Sequence, residues 1–117
     1  MASPQAMALA HTLVDALEEK KGEDILVLDI ADLTPITDLF VLVSGYSDRM
    51  LDTLVQHALE QAEAKHGRRG RVEGTARGGW ILVDFGDVIL HVFTPDVRAY
   101  YDLEGLWANG RVVLRMP

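Results

Sequence analysis

Apolar residues recur along this chain with two different periods, and the switching between them lays out its elements. Leu9, Leu13 and Leu17, with Val14 between, fall three or four apart and define one stripe of a helix. Ser3-Pro4 opens it, Ser as a cap and Pro at the first helical position. Lys20 and Lys21 are expected in its last turn, where cations suit the helix dipole, and Gly22 ends it. Residues 25–30 and 39–43 are short, almost unbroken apolar runs, as expected of strands buried on both faces, with a connection at 34–38. Ser47 caps a second helix whose stripe is Leu51, Leu54, Val55, Ala58, Leu59 and Ala62, and Gly67 closes it. Residues 72–74 read as a short edge strand and 75–79 as a flexible lead into Trp80.

The most organised stretch is 80–93. Residues 80–83 and 88–93 are mostly β-branched or aromatic, and Gly86 supplies a tight turn between them. A two-residue loop at Phe85-Gly86 sets Asp84 opposite Asp87, Leu82 opposite Ile89 and Trp80 opposite His91. Alternation then gives two unlike faces. Ile81, Val83, Val88, Leu90 and Val92 make one aliphatic face; Trp80, Leu82, Asp84, Asp87, Ile89 and His91 make the other. Facing carboxylates repel, so a basic partner, a metal or solvent at the hairpin end must relieve them. Asp also simply flanks turns often. A Trp and a His beside the acids add weight to a binding surface, where aromatics are enriched.

Thr94-Pro95 starts a further helix with Asp96 in its first turn, running through Tyr100 and Tyr101 to Trp107. Two tyrosines, a tryptophan and three acids make it amphipathic; one tyrosine and Leu106 are expected inward and the rest exposed. Asn109-Gly110 stops it, leaving Arg111 onward as a tail or a short added strand. The order predicts an α/β domain with a small mixed sheet and helices packed mainly on one face. Residues 1–108 form that single domain and 109–117 a C-terminal tail. The Trp80 face is left open or partly covered.

Composition narrows the chemistry. At 117 residues the chain can bury one core without staples, and without cysteine it holds no disulfide or thiolate site. It has no signal-like start and no run of about 18 apolar residues, so a cytoplasmic protein off the membrane is expected. A net charge of −7 disfavours generic nucleic-acid binding. From residue 80 to 110 five acids face one base, Arg98, which points to a basic partner or to a solvated acidic surface; charge bias alone favours the latter. The basic cluster at 65–71, with Arg68, Arg69 and Arg71, reads as a phosphate or RNA contact or, preferably, as a helix end that complements an acidic neighbour. Ser44-Gly45-Tyr46-Ser47 sits between a strand and a helix N-terminus, where a phosphate can bind. It loosely matches the Gly-Ser turn of nucleotidyltransferases, but their Asp-x-Asp pair is missing. His11, His57, His66 and His91 show no metal-ligand or triad spacing, so no cofactor, metal or small-molecule substrate is expected and an enzyme is not supported.

Five stretches, 23–29, 36–41, 44–49, 80–91 and 100–107, closely resemble the ribosomal silencing factors, the RsfS or Iojap family, over nearly the whole chain. The basic loop and the residues after Trp107 lie outside that pattern. The resemblance implies a nucleotidyltransferase-like fold lacking catalytic residues. It also implies binding to the large ribosomal subunit through its protein uL-fourteen, blockade of small-subunit docking, repression of translation when nutrients are short, and a homodimer off the ribosome. On this reading the partner-binding set is Trp80, Asp84, Asp87, His91, Tyr100, Tyr101, Asp102, Leu103, Glu104 and Trp107. Trp80 and Tyr101 would be aromatic anchors, and the acids would meet Lys and Arg on the partner. Ribosomal RNA is left as a secondary contact. Two alternatives stay open: a nucleotide-binding or nucleotidyl-transfer enzyme, and a dimeric adaptor pairing through the Trp80 face.

Overall fold

The two apolar runs lie side by side in a six-stranded mixed sheet. In this computed structural model, which describes residues 1–117, the elements are α1 (Pro4–Glu19), β1 (Glu23–Asp29), β2 (Leu39–Ser44), α2 (Asp48–His66), β3 (Arg71–Thr75), β4 (Trp80–Asp84), β5 (Val88–Phe93), α3 (Pro95–Tyr101), α4 (Leu103–Leu106) and β6 (Arg111–Met116). The strand order is β3-β4-β5-β2-β1-β6. β2 and β5 run parallel and every other pair is antiparallel. Ser3 and Ser47 cap their helices, accepting from Ala6 N and Met50 N, and Gly67 closes α2 with φ 62°. Helix α1 stops just before the two lysines: Lys20 is its C-cap and Lys21 turns left-handed.

Strand alternation splits the interior in two. Ile25, Val27, Leu39, Val41, Val43, Ile81, Val83, Val88, Leu90 and Val92 meet the apolar stripes of α1 and α2 in the main core. The opposite pleats, among them Leu26, Phe40, Leu42, Ile89 and Phe93, form a second core under α3 and α4, whose Val97, Leu103 and Trp107 pack on it. The aliphatic hairpin face is therefore covered by the long helices as predicted, and the Trp80 face is partly roofed by the short ones.

Three expectations are corrected. The hairpin turn lies one residue later than predicted: Phe85 N donates to Val88 O at 2.9 Å, and Gly86 and Asp87 form the loop. Trp80 thus faces Phe93, Leu82 faces His91 and Asp84 faces Ile89, so the two aspartates are not a cross-strand pair. The cause is Phe85, which is buried in the main core above Gly70; a side chain on Gly70 would collide with Phe85 and Val83. Burying a phenylalanine contributes about 2–3 kcal/mol, which holds Phe85 in the strand line. Gly86, with φ 95°, then takes the first loop position, where a type II′ turn uses glycine. The slip moves the pairing by two residues in all, so each side chain keeps its face.

The second correction is at 111–117, expected as a tail or an added strand: residues 111–116 form β6, an edge strand beside β1, held at its start by Arg111 donating to Asp29 at 3.2 Å. A bulge puts Val113 and Leu114, neighbours in sequence, both against the main core. The third is the last helix, which breaks at Asp102, a residue with φ 47°.

Candidate functional site

Aromatic side chains form a continuous ladder across the second face of the sheet. Tyr100 meets Tyr101 edge-on at 5.0 Å, and Tyr101 lies 4.9 Å from Trp80. Trp80 packs on Phe93 at 4.9 Å, and His91 stacks on Phe93 at 5.8 Å. Phe40 stands edge-on to both His91, at 4.7 Å, and Trp107, at 5.6 Å. The strands supply the base of this ladder, and the tyrosines of α3 and Trp107, the C-cap of α4, its outer rungs. Each ring pair of this kind adds about 0.5–1.5 kcal/mol beyond simple burial, so the ladder is a stiff support.

What the ladder presents to solvent differs from expectation. Tyr100 is 81% exposed, Tyr101 54% and Leu106 73%, so neither a tyrosine nor Leu106 turns inward. Leu103 and Trp107 take that place, half-buried against the second core. Trp80 is also half-buried. His91, expected on the contact surface, is 4% exposed and lies beneath Trp80. The indole Nε1–H of Trp80 donates to His91 Nδ1 at 3.2 Å. An indole nitrogen only donates, so Nδ1 carries no proton and Nε2 does. Burial lowers the His91 pKa to about 4, which keeps the ring neutral at physiological pH.

The four acids of the expected surface are mostly engaged within the chain. Asp84 accepts from Gly86 N and from Arg71, and Asp87 accepts from Arg68, which also bonds the Phe85 carbonyl at 2.7 Å. The basic loop is thus the partner of the hairpin acids; from the sequence it is set against an unspecified acidic neighbour, and these two acids are expected to meet a partner protein instead. Asp84 lies four residues along β4 from Trp80, roughly 13 Å away at strand rise, so this acid pair is outside the aromatic patch. Glu104 pairs with Arg98 at 2.7 Å. Asp102 caps α4 by accepting from Gly105 N at 3.0 Å; it is exposed and has no cationic partner.

Arg98 is the residue that sequence reasoning passed over. It is buried, and besides Glu104 it donates to the Asp24 carbonyl at 2.7 Å and to Ser44 Oγ at 2.9 Å. Asp24 lies at a bulge in β1 with φ 50°, which leaves its carbonyl out of the ladder. Arg98 therefore ties α3 and α4 to the ends of β1 and β2. Its signal in the sequence was its isolation as the one base among five acids. The Ser44 hydroxyl, a candidate phosphate ligand, is turned inward and taken by this guanidinium. No group of three or more His, Asp or Glu side chains converges to hold a metal ion. The largest concavity, about 940 Å³, opens elsewhere, over α2 and Val72; its charged lining (Lys20, Arg49, Asp52, Glu60) is of both signs and includes none of the predicted site residues.

Comparison with known proteins gives a consistent result. The family model described as "Ribosomal silencing factor during starvation" matches residues 3–116. The chain is 37% identical over 94 residues to the ribosomal silencing factor RsfS of Bacillus subtilis, covering 80% of each chain. It is 33% identical over 98 residues to the protein of Mus musculus named "Mitochondrial assembly of ribosomal large subunit protein 1", covering 81% of this chain and 43% of that one. A solved crystal structure of a Chromobacterium violaceum protein matches with a TM-score of 0.83 at 36% identity, covering 87% of this chain and 85% of that one.

Proposed function

The chain belongs to the ribosomal silencing factor family, and from that premise we propose that it docks on the large ribosomal subunit through protein uL-fourteen and sterically blocks the small subunit. It thereby represses translation under nutrient limitation, in the cytoplasm, without catalysing a reaction. The observation that carries this reading is the exposed Tyr100–Tyr101 pair seated on Trp80, with Leu106 and the unpaired Asp102 beside it. Exposed aromatics on a rigid base dominate interface energetics because little side-chain freedom is lost when they bind. Asp102 adds a charge suited to a basic partner. Trp80, Leu103 and Trp107 contribute their exposed edges, whereas Asp84, Asp87 and Glu104 keep their internal arginines. The free chain pairs with a second copy through this same apolar surface. Ribosomal RNA is at most a secondary contact, through Arg69, which is solvent-exposed and held only at 3.6 Å by Glu63. The fold is a nucleotidyltransferase-like one in which Arg98 occupies the Ser44 turn.

The test is the affinity of purified large subunits for the wild-type chain and for Tyr101→Ala. An anchor of this kind contributes about 2 kcal/mol, so the variant should bind roughly 30-fold more weakly. Equal affinity in a folded variant would remove Tyr101 from the interface.

A further inference from the structure

His91 is the buried polar group that the docking surface leaves unused. Its Nδ1 accepts from Trp80, and its Nε2 is buried without a hydrogen-bond partner. An orphaned buried N–H is costly, and an apolar residue would fill the second core between Phe40 and Phe93 at no such cost. The one polar interaction that the histidine makes here is the bond to Trp80. That bond constrains a half-buried indole about its long axis, and the Tyr101 ring packs on the same indole at 4.9 Å. The close approach of Gly79 to Val97 and Thr94, where a Cβ would collide with both, fixes the start of α3 over the start of β4. Backbone and ring are thus held by separate devices: Phe93 packs on the ring at 4.9 Å, and the histidine adds the hydrogen bond that fixes its N–H edge.

We propose that His91 is a positioning residue for large-subunit docking: it touches no partner, and by fixing the Trp80 indole it sets the platform on which Tyr101 is presented. This rests on the docking role proposed above for the Tyr100–Tyr101 patch. The chemistry requires an acceptor at the Nδ1 position and no charge. Asn places its amide oxygen there, Leu fills the space without an acceptor, and Gln sets its amide nearer the Nε2 position.

The experiment uses the full chain, ¹⁵N-labelled, with the indole N–H signals of its two tryptophans assigned by Trp107→Phe. In His91→Leu the Trp80 indole signal should move upfield and its cross-peaks to the Tyr101 ring should weaken. Large-subunit affinity should fall about tenfold, the equivalent of one hydrogen bond, with thermal stability unchanged or raised. His91→Asn should retain the signal, the cross-peaks and the affinity. If the Leu variant does not fold, His91→Gln takes its place, with the loss expected of Leu. An unmoved indole signal in the variant without the acceptor overturns the proposal, as does full affinity despite a moved signal. So does an affinity loss in His91→Asn that follows its loss of stability. Should wild-type protein not bind large subunits at all, the docking role fails, and the Trp80–Tyr101 cross-peaks alone decide whether His91 sets the platform.

Discussion

At neutral pH His91 carries no net charge in the folded chain, because burial lowers its pKa from 6.5 to about 4. Unfolding restores the ordinary value, so between those limits the unfolded chain binds the extra proton. Stability is therefore full above pH 6.5 and declines as the pH falls towards 4, by about 3 kcal/mol from this group alone. Urea unfolding at pH 7.5 and 4.5 should show most of that loss in the wild type, and His91→Leu should lack this component. Identical losses in the two proteins would mean that His91 is not buried as described. Single residues are also where the sequence was hardest to read. That Trp80 and His91 share a face follows from alternation. That one roofs the other does not, because it depends on the hairpin register. The register in turn depends on whether Phe85 belongs to turn or core, and only the space left by Gly70 decides that. Arg98 was equally opaque: its partners Ser44 and Asp24 are 54 and 74 residues away.

Among the elements, the long periodic ones were legible. The stripes of α1 and α2 and the apolar runs of β1 and β2 need no tertiary context, because burial imposes a period on them. The segment from Pro95 to Trp107 has no such period. The expected split turns one tyrosine and Leu106 inward; with the break at Asp102 it is Leu103 and Trp107 that turn in. Asp102 serves as C-cap of α3 and N-cap of α4 in one left-handed residue. Asp102→Ala should cost about 1–3 kcal/mol, since it loses the cap and keeps the left-handed backbone. Asp102→Gly should cost only a few tenths of a kcal/mol, as glycine tolerates both demands. Chemical denaturation should give the order Asp, Gly, Ala from most to least stable; an Ala variant as stable as wild type would contradict this account of the break. Strand β6 was ambiguous for a related reason: its apolar run is short, and its bulge disturbs the alternation that marks a strand.

For the molecule as a whole, size and surface matter more than any cavity. The chain measures 34 × 33 × 24 Å. Direct contacts between two surfaces need heavy atoms within about 4.5 Å. On the docking proposed above, a body 24 Å across in its shortest dimension would hold the facing surfaces several times too far apart. Blockade then needs no conformational change and no chemistry, only occupancy. The α/β class and the two strands of the hairpin were readable from the pattern of apolar positions, and so was the shared face of Trp80 and His91. The split between exposed tyrosines and self-neutralised acids was not, because Arg68, Arg71 and Arg98 find their acids only in three dimensions. The most direct measurement is light scattering as small subunits are added, at permissive Mg²⁺, to large subunits preincubated with this protein. The account predicts that the association signal is lost with wild-type protein and returns with Tyr101→Ala. Undiminished joining at saturating wild-type protein would contradict it.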